Sequence, residues 1–291
     1  MALESALITH GLAYPANLKI ARRVEDAVRQ EGAIPATIAL LNGEPRVGLS
    51  DDDLARLASL AADDPSTRRP RKVSLRDLPM ALAQGATGGT TVAATMHLAH
   101  LVGLEVFATG GIGGVHRGHP EDVSADLTAL GSIPITVVCS GAKAILDLPH
   151  TLEILETNGV PVVGYGTEEF PAFYSQRSGL KVDAAVDTPG AVARLARARD
   201  DLALPAALLV SVPVPQGEAL PPEEAEAAIA QATEEAERAE ISGKDVTPFL
   251  LARMVALTDG RAQRANEALL VNNARVAARI AQALIETESD A

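Results

Sequence analysis

Two periodicities alternate along the chain. Residues 16–31, ANLKIARRVEDAVRQE, place Leu18, Ala21, Val24, Ala27 and Val28 on one stripe, with Gly32 in position to stop it. That spacing predicts an amphipathic helix. The short apolar run ATIALL follows, ends at Asn42-Gly43 and returns as RVGL, which predicts a hairpin. Ser50 and Asp53 predict a capped helix through Ala61. Beyond the polar loop DDPSTRRPRK, the pattern reads as helix 91–102, strand 104–108, strand 133–139, helix 151–157, strand 160–165, helix 188–199 and strand 207–212. Such alternation builds a mainly parallel sheet covered on both faces. From Pro221, three helical segments (221–240, 247–257 and 261–287) follow without a strand between them. The expected fold is α/β: a three-layer α/β/α arrangement with a mainly parallel mixed sheet. The helical C-terminal segment, about 221–291, is expected to pack on it within a single catalytic domain spanning 1–291.

Composition sharpens this picture. Hydrophobic residues make up 47% of the 291, yet Trp is absent and aromatics are 2%. The core must therefore be built from Ala, Val, Leu and Ile. A formal charge of −13 argues against general nucleic-acid binding, which needs a basic footprint. A phosphorylated small molecule stays open, because it needs only a local cluster of donors. The single Cys139 excludes an intramolecular disulfide and fits a reducing compartment; it is expected to close a strand as a small apolar residue. No apolar stretch reaches the roughly 18 residues of a membrane span, and no signal-peptide pattern opens the chain. A cytoplasmic protein with no membrane partner is expected.

In open parallel sheets, ligands bind beyond the carboxyl ends of strands, which directs attention to the loops after residues 108 and 139. The first is TGGIGGVHRGHPEDVSAD, residues 109–126. Gly110, Gly111, Gly113 and Gly114, followed by His116 and Arg117, allow backbone to approach an anion closely. A dinucleotide fingerprint would continue into a helix, whereas here a polar loop with Pro120 is expected. A phosphate or sugar-phosphate cradle is favoured over a nicotinamide site, with a ligand-free glycine turn as the alternative. His116 and His119, like His97 and His100, form H-x-x-H without a third ligand, so zinc is disfavoured. His97 and His100 are read as packing or polar-face residues. Asp122 and Asp126, on either side of Ser124, suit Mg²⁺ or Mn²⁺; a helix cap with a first-turn acid is the alternative.

The second loop carries SGAK. Of 25 basic residues only five are lysines: Lys19, Lys72, Lys143, Lys181 and Lys244. Unlike arginine, lysine can lose its proton and act as a nucleophile, so Lys143 is either that or a strand-end lysine reaching solvent. Glu4 lies in the apolar opening MALESALITHGLAYP. Desolvation there would raise its pKa and suit it to general-acid work; an exposed terminal glutamate is the alternative.

Taken together, ALESALITHGLAYPAN, EGAIPATIALLNG, VGLSDDDLARLA, KVSLRDLP, GGTTVAATM, VFATGGIGGVHRG, DVSADL, VVCSGAKAILDLP, TPFLLARM and LLVNNARVAARIA resemble the pseudouridine-5′-phosphate glycosidase family over nearly the whole chain. The resemblance implies a homotrimeric α/β/α enzyme that uses Mn²⁺ to interconvert pseudouridine 5′-phosphate with uracil and ribose 5-phosphate through a lysine Schiff base. It implies Glu4 as proton donor, Lys143 as nucleophile and Asp122 as metal ligand. Lys72, Val92, Ser124, Ala125 and Asp126 are implied substrate contacts, Asn266 a contact to the base, and Thr109 and His116 phosphate or sugar contacts. A Schiff-base aldolase acting on a sugar phosphate and a catalytically silent metabolite-binding homologue are the competing readings. The family pattern carries a longer leader and a complete first strand ahead of its glutamate. With Met1 three residues upstream of Glu4, either the start lies further upstream or Glu4 follows a shortened, frayed strand.

Overall fold

The structure, a computed structural model, describes residues 1–62, 69–239, 241 and 246–289. The first six residues of DDPSTRRPRK and the last of the 221–240 segment lie outside these. Numbered in chain order, the parallel part of the main sheet runs β12 (Ala184–Val186), β11 (Val162–Tyr165), β13 (Leu208–Ser211), β9 (Thr136–Cys139), β6 (Val106–Ala108), β1 (Ala2–Leu3) and β2 (Ala36–Leu41). Beyond β2 the direction reverses at β5 (Gly88–Thr90), with β4 (Arg71–Val73) parallel to β5 at the edge. β3 (Glu44–Val47) pairs antiparallel with β2 across Asn42-Gly43. Both turn residues have positive φ, 53° and 81°, as a two-residue hairpin requires.

Ten helices surround the strands: α1 (Ala16–Gln30), α2 (Asp51–Ser59), α3 (Leu78–Ala83), α4 (Val92–Leu101), α5 (Ala125–Leu130), α6 (Leu148–Thr157), α7 (Pro189–Asp201), α8 (Pro222–Arg238), α9 (Val246–Leu257) and α10 (Arg261–Ser289) are those among the described residues. A π-helical turn, Leu7–Gly11, follows β1 closely. The predicted cap of α2 is present, with Asp53 N donating to Ser50 Oγ at 3.1 Å. None of the helices among the described residues is long and apolar enough to cross a membrane.

Side chains alternate across the sheet with period two, and that alternation divides the core. Leu3, Val106, Ala108, Val138, Leu208 and Val210 pack with α1, α7 and α10. Their neighbours Ala2, Phe107, Val137, Cys139 and Leu209 pack with α4, α5 and α6 on the other face. Strands buried on both faces read as continuous apolar runs, which is how VFA and TVVC stand in the sequence. Each fully buried large aliphatic side chain contributes about 1.5–3 kcal/mol. The C-terminal α10 thus forms part of one helical layer, packing on β6, β9, α1 and α7.

Three sequence expectations change. Residues 109–126 contain a hairpin, not only a polar loop: β7 (Val115–His116) and β8 (His119–Val123) form a small sheet with β10 (Leu146–Asp147). Arg71 and Lys72, assigned to the polar loop, begin β4. The first strand is short but not frayed. Ala2 and Leu3 are buried and pair with β2 on one side and β6 on the other.

Candidate active site

β9, β6 and β1 are adjacent and parallel, with Leu3 opposite Ala108 and Ala108 opposite Val138. Their carboxyl ends therefore deliver Glu4, Thr109 and the Ser140-Gly141-Ala142-Lys143 segment to one place. Thr109 Oγ1 donates to Glu4 Oε1. Behind Glu4, Ser5 is fixed to two strands: its hydroxyl donates to Ile38 O at 2.5 Å and accepts from Thr90 N at 3.0 Å. Gly141 allows the other loop its turn. It has φ of 83°, and a methyl group there would stand 2.2 Å from Pro171 O, so only glycine fits. Lys143 is half-buried, and its backbone N–H donates to Ile112 O at 3.1 Å.

Burial pushes the Glu4 carboxyl above the ordinary carboxylate range, against the opposing pull of Lys143, the Thr109 hydrogen bond and Lys72. Burial also lowers the Lys72 ammonium, and the nearby Lys143 charge lowers it further. These shifts bring Glu4, Lys72, Asp126 and Lys143 into one electrostatically coupled cluster. A carboxyl whose hold on its proton is strengthened by burial, close to a lysine, is the pairing an acid and a nucleophile need.

Asp126 shows why the glycine loop is as it is. Its Oδ1 accepts from Ala93 N at 2.9 Å and its Oδ2 from Gly113 N at 2.8 Å. Ser124 caps α5 by accepting from Asp126 N at 3.2 Å. The cap alternative therefore holds for Asp126, whose two oxygens are both engaged by backbone, and Asp122 and Asp126 do not act as an equivalent pair. The glycines serve close packing: a methyl group on Gly113 would stand 2.2 Å from Ser124 Oγ, and one on Gly111 would stand 2.7 Å from the Phe173 ring. Val92 is buried at the start of α4, beside Ala93. Thr91 N donates to Val73 O at 2.9 Å, which ties that helix start to the strand carrying half-buried Lys72. Ala125 is exposed at the first position of α5. Asn266 lies near the start of the glycine loop, its Oδ1 3.6 Å from where a methyl group on Gly110 would stand.

His116 and Asp122 face each other across the β7–β8 hairpin, with Nε2 and Oδ2 4.0 Å apart. β10 pairs with β7 through Leu146 and His116, which joins this hairpin to the Lys143 loop. Asp122 is exposed. No group of three or more His, Cys, Asp or Glu among the described residues is gathered to hold a metal. The donor set fits a hard ion that takes one protein carboxylate and completes its shell with water or substrate oxygens. Cys139 is buried, and burial pushes its thiol up to about 12; it stays a neutral packing residue. His97 is half-buried and His100 exposed on α4. A cleft of about 650 Å³ bounded by Arg117, Ala144, Leu146 and Glu226 flanks the Lys143 loop, but Glu4, Lys72 and Lys143 do not line it.

One participant escaped the sequence reading. Asn273 is 1% exposed on α10 and bonds the loops after β6 and β9 together. The adjacent asparagines in LLVNNARVAARIA were its signal: a polar pair inside an otherwise apolar helical run needs partners.

The family model described as indigoidine synthase A like protein matches residues 1–283. The chain belongs to this family, which includes the pseudouridine-5′-phosphate glycosidases. Proteins named pseudouridine-5′-phosphate glycosidase from Paracoccus denitrificans and Chloroflexus aurantiacus are each 54% identical to it, with 98% of this chain aligned to 92% and 93% of theirs. The crystal structure of an indigoidine synthase A-like protein from Thermotoga maritima superposes with a TM-score of 0.88 at 36% identity, covering 97% of this chain and 91% of that one. That of the prealnumycin C-glycosynthase in complex with ribulose 5-phosphate gives 0.89 at 38% identity, over 100% and 93%.

Proposed function

We propose that the protein is a pseudouridine-5′-phosphate glycosidase, cleaving the carbon–carbon bond between C5 of uracil and C1′ of the ribose phosphate and reforming it in reverse. The observation that carries this reading is the approach of Glu4, whose carboxyl burial pushes above the ordinary range, to Lys143 at the carboxyl ends of β1 and β9, which flank β6. Expelling a carbanion from C5 directly is prohibitive, and two groups remove the difficulty. The Lys143 amine attacks C1′ and displaces the ring oxygen, which opens the sugar. Glu4 then gives its proton to C5 as the C1′–C5 bond breaks, and the nitrogen lone pair forms the C1′=N bond of a Schiff base. Water hydrolyses that imine, releasing ribose 5-phosphate and the free lysine. Arginine stays protonated and has no such role.

Lys72, Val92, Ser124, Ala125 and Asp126 hold the sugar phosphate, with Thr109 and His116 beside them, and Asn266 faces the base. Lys72 supplies the cationic partner, while the starts of α4 and α5 supply backbone donors. Asp122 is the residue that would hold Mn²⁺, which when bound supplies positive charge toward substrate oxygens. The working form in this reading is a cytoplasmic homotrimer; exposed Leu101 and Val102 offer apolar surface for subunit contact. Incubation with uracil, ribose 5-phosphate and Mn²⁺ tests the reaction. Formation of pseudouridine 5′-phosphate is expected, and its absence with folded protein rejects the assignment. An imine trapped with ribose 5-phosphate but no uracil product would point instead to the aldolase reading; neither would leave a binding protein.

A further inference from the structure

The two loops that carry the site are held from two sides, by each other and by α10. β6 and β9 pair up to Ala108 and Val138, and backbone bonds continue along the loops that follow: Thr109 N to Val138 O at 2.9 Å, Ser140 N to Gly110 O at 2.9 Å, Ile112 N to Gly141 O at 3.1 Å and Lys143 N to Ile112 O at 3.1 Å. At the roots of these loops, Asn273 spans both from α10. Its Nδ2 donates to Thr109 O at 2.9 Å and to Gly110 O at 3.4 Å, while its Oδ1 accepts from Ser140 Oγ at 3.2 Å. A buried amide is costly unless both ends are satisfied; here both ends are, and each is used on a loop that carries reacting groups. Thr109 is the hydrogen-bond partner of Glu4, and Ser140 opens the segment that ends in Lys143.

We propose that Asn273 is a positioning residue that fixes the separation of Glu4 and Lys143 by tying the Thr109 and Gly110 carbonyls and the Ser140 hydroxyl to α10. The proposal rests on the reaction assigned above. Asn266 lies seven positions earlier on the same helix, about two turns away and hence on the same face. One rigid rod therefore sets both the contact to the base and the spacing of acid and amine. Asn273 itself touches neither reactant, so its influence falls on chemistry more than on substrate binding, whose cation Lys72 stands on β4.

Asn273→Asp tests this. It keeps the volume and an acceptor for Ser140 but loses both donations, and its carboxylate faces two carbonyl oxygens. With acid and amine released from register, kcat for pseudouridine 5′-phosphate formation is expected to fall about 100-fold. The KM for ribose 5-phosphate should stay within about threefold of wild type, because losses confined to the transition state leave KM in place. Activity should partly return at acid pH, where the introduced carboxyl regains a proton and donates again. Amide hydrogen exchange in 109–113 and 140–143 should quicken, a readout that does not depend on turnover. Ser140→Ala removes one of the three contacts and reads the same lock if Asn273→Asp fails to fold; a drop in kcat of about tenfold with KM held is expected, the worth of one hydrogen bond. Wild-type kcat in a folded variant, a loss confined to KM, or unchanged exchange in the two loops overturns the proposal. Absence of product from the wild-type protein, with faster loop exchange in Asn273→Asp, would instead count against the assigned reaction and leave the lock standing.

Discussion

Replacing Gly113 by alanine puts the packing of the glycine loop to a quantitative test. The added methyl would stand 2.2 Å from Ser124 Oγ, 2.6 Å from Ser124 Cβ and 2.7 Å from Asp126 Oδ2. Neither neighbour yields easily: Ser124 caps α5, and the Asp126 carboxylate is held by two backbone amides. Gly113 does not have a left-handed φ, so the cost is spatial. Overpacking of this severity belongs at the upper end of its usual range, about 3 kcal/mol. At about 2 °C of melting temperature per kcal/mol for a chain of this size, the drop is about 6 °C. Loss of the Gly113 hydrogen bond to a charged carboxylate also shifts Asp126 and Ser124, and is expected to raise the KM for ribose 5-phosphate about tenfold or more. Gly217→Ala is the control. Nothing lies within 4 Å of a methyl there and φ is not positive, so a gain of about 0.4–1 kcal/mol is expected from the unfolded chain's lost freedom. Thermal melts and steady-state kinetics on both variants decide the matter. A Gly113→Ala protein that melts and binds like wild type, or a Gly217→Ala protein damaged to the same degree, refutes the spatial reasoning.

Further outcomes follow from the same geometry. Borohydride with ribose 5-phosphate should leave a mass adduct on Lys143, and an adduct persisting in Lys143→Ala would assign the nucleophile elsewhere. Glu4→Gln should still permit that adduct while turnover falls about 10²–10⁴-fold, the usual worth of a general acid; wild-type turnover would exclude Glu4 as the donor. The same variant carries a stability signature. Burial raises the Glu4 carboxyl in the folded state, so the native protein binds more protons than the unfolded chain between the ordinary and the raised value, and stability falls as pH rises through that window. Glu4→Gln should lose less stability than wild type over that rise, and parallel curves would contradict the assigned burial. For Asp122→Asn, the Mn²⁺ concentration giving half-maximal activity should increase about tenfold or more, as for loss of a charged oxygen ligand; an unchanged Mn²⁺ titration would remove Asp122 as the ligand.

The long apolar strands and amphipathic helices were legible because both faces of the sheet are buried and the two periods differ. The hairpin at Asn42-Gly43 and the cap at Ser50 were legible from turn and cap chemistry alone. Elements built from two or three residues were not. β1 is too short to show a period, and β5 is Gly-Gly-Thr, in which only the threonine favours a strand and which exists because β2 and β4 pair with it. β8 contains Pro120 and two acids on an exposed strand, a composition that reads as loop. In the site, Lys143 stood out by its rarity and Glu4 by its apolar setting, but their meeting depends on the strand order β9-β6-β1, which local pattern does not encode. The glycine run was legible as a place of close backbone approach; what approaches Gly113, a capping serine and a carboxylate of the same chain, was not.

The two-residue first strand has a consequence for how activity arises. Leu3 pairs with Thr37 and with Ala108, partners drawn from distant parts of the chain, so the centre of the sheet cannot close over it until both neighbours are in place. Contacts of such long separation form late and slowly. A molecule lacking only this insertion would keep its helices and most of its core and yet leave Glu4, the proposed proton donor, out of place. If Glu4 is the donor, turnover is expected to report closure of the β1 seam where helical content does not, and on refolding it should appear only once β1 has paired with both β2 and β6.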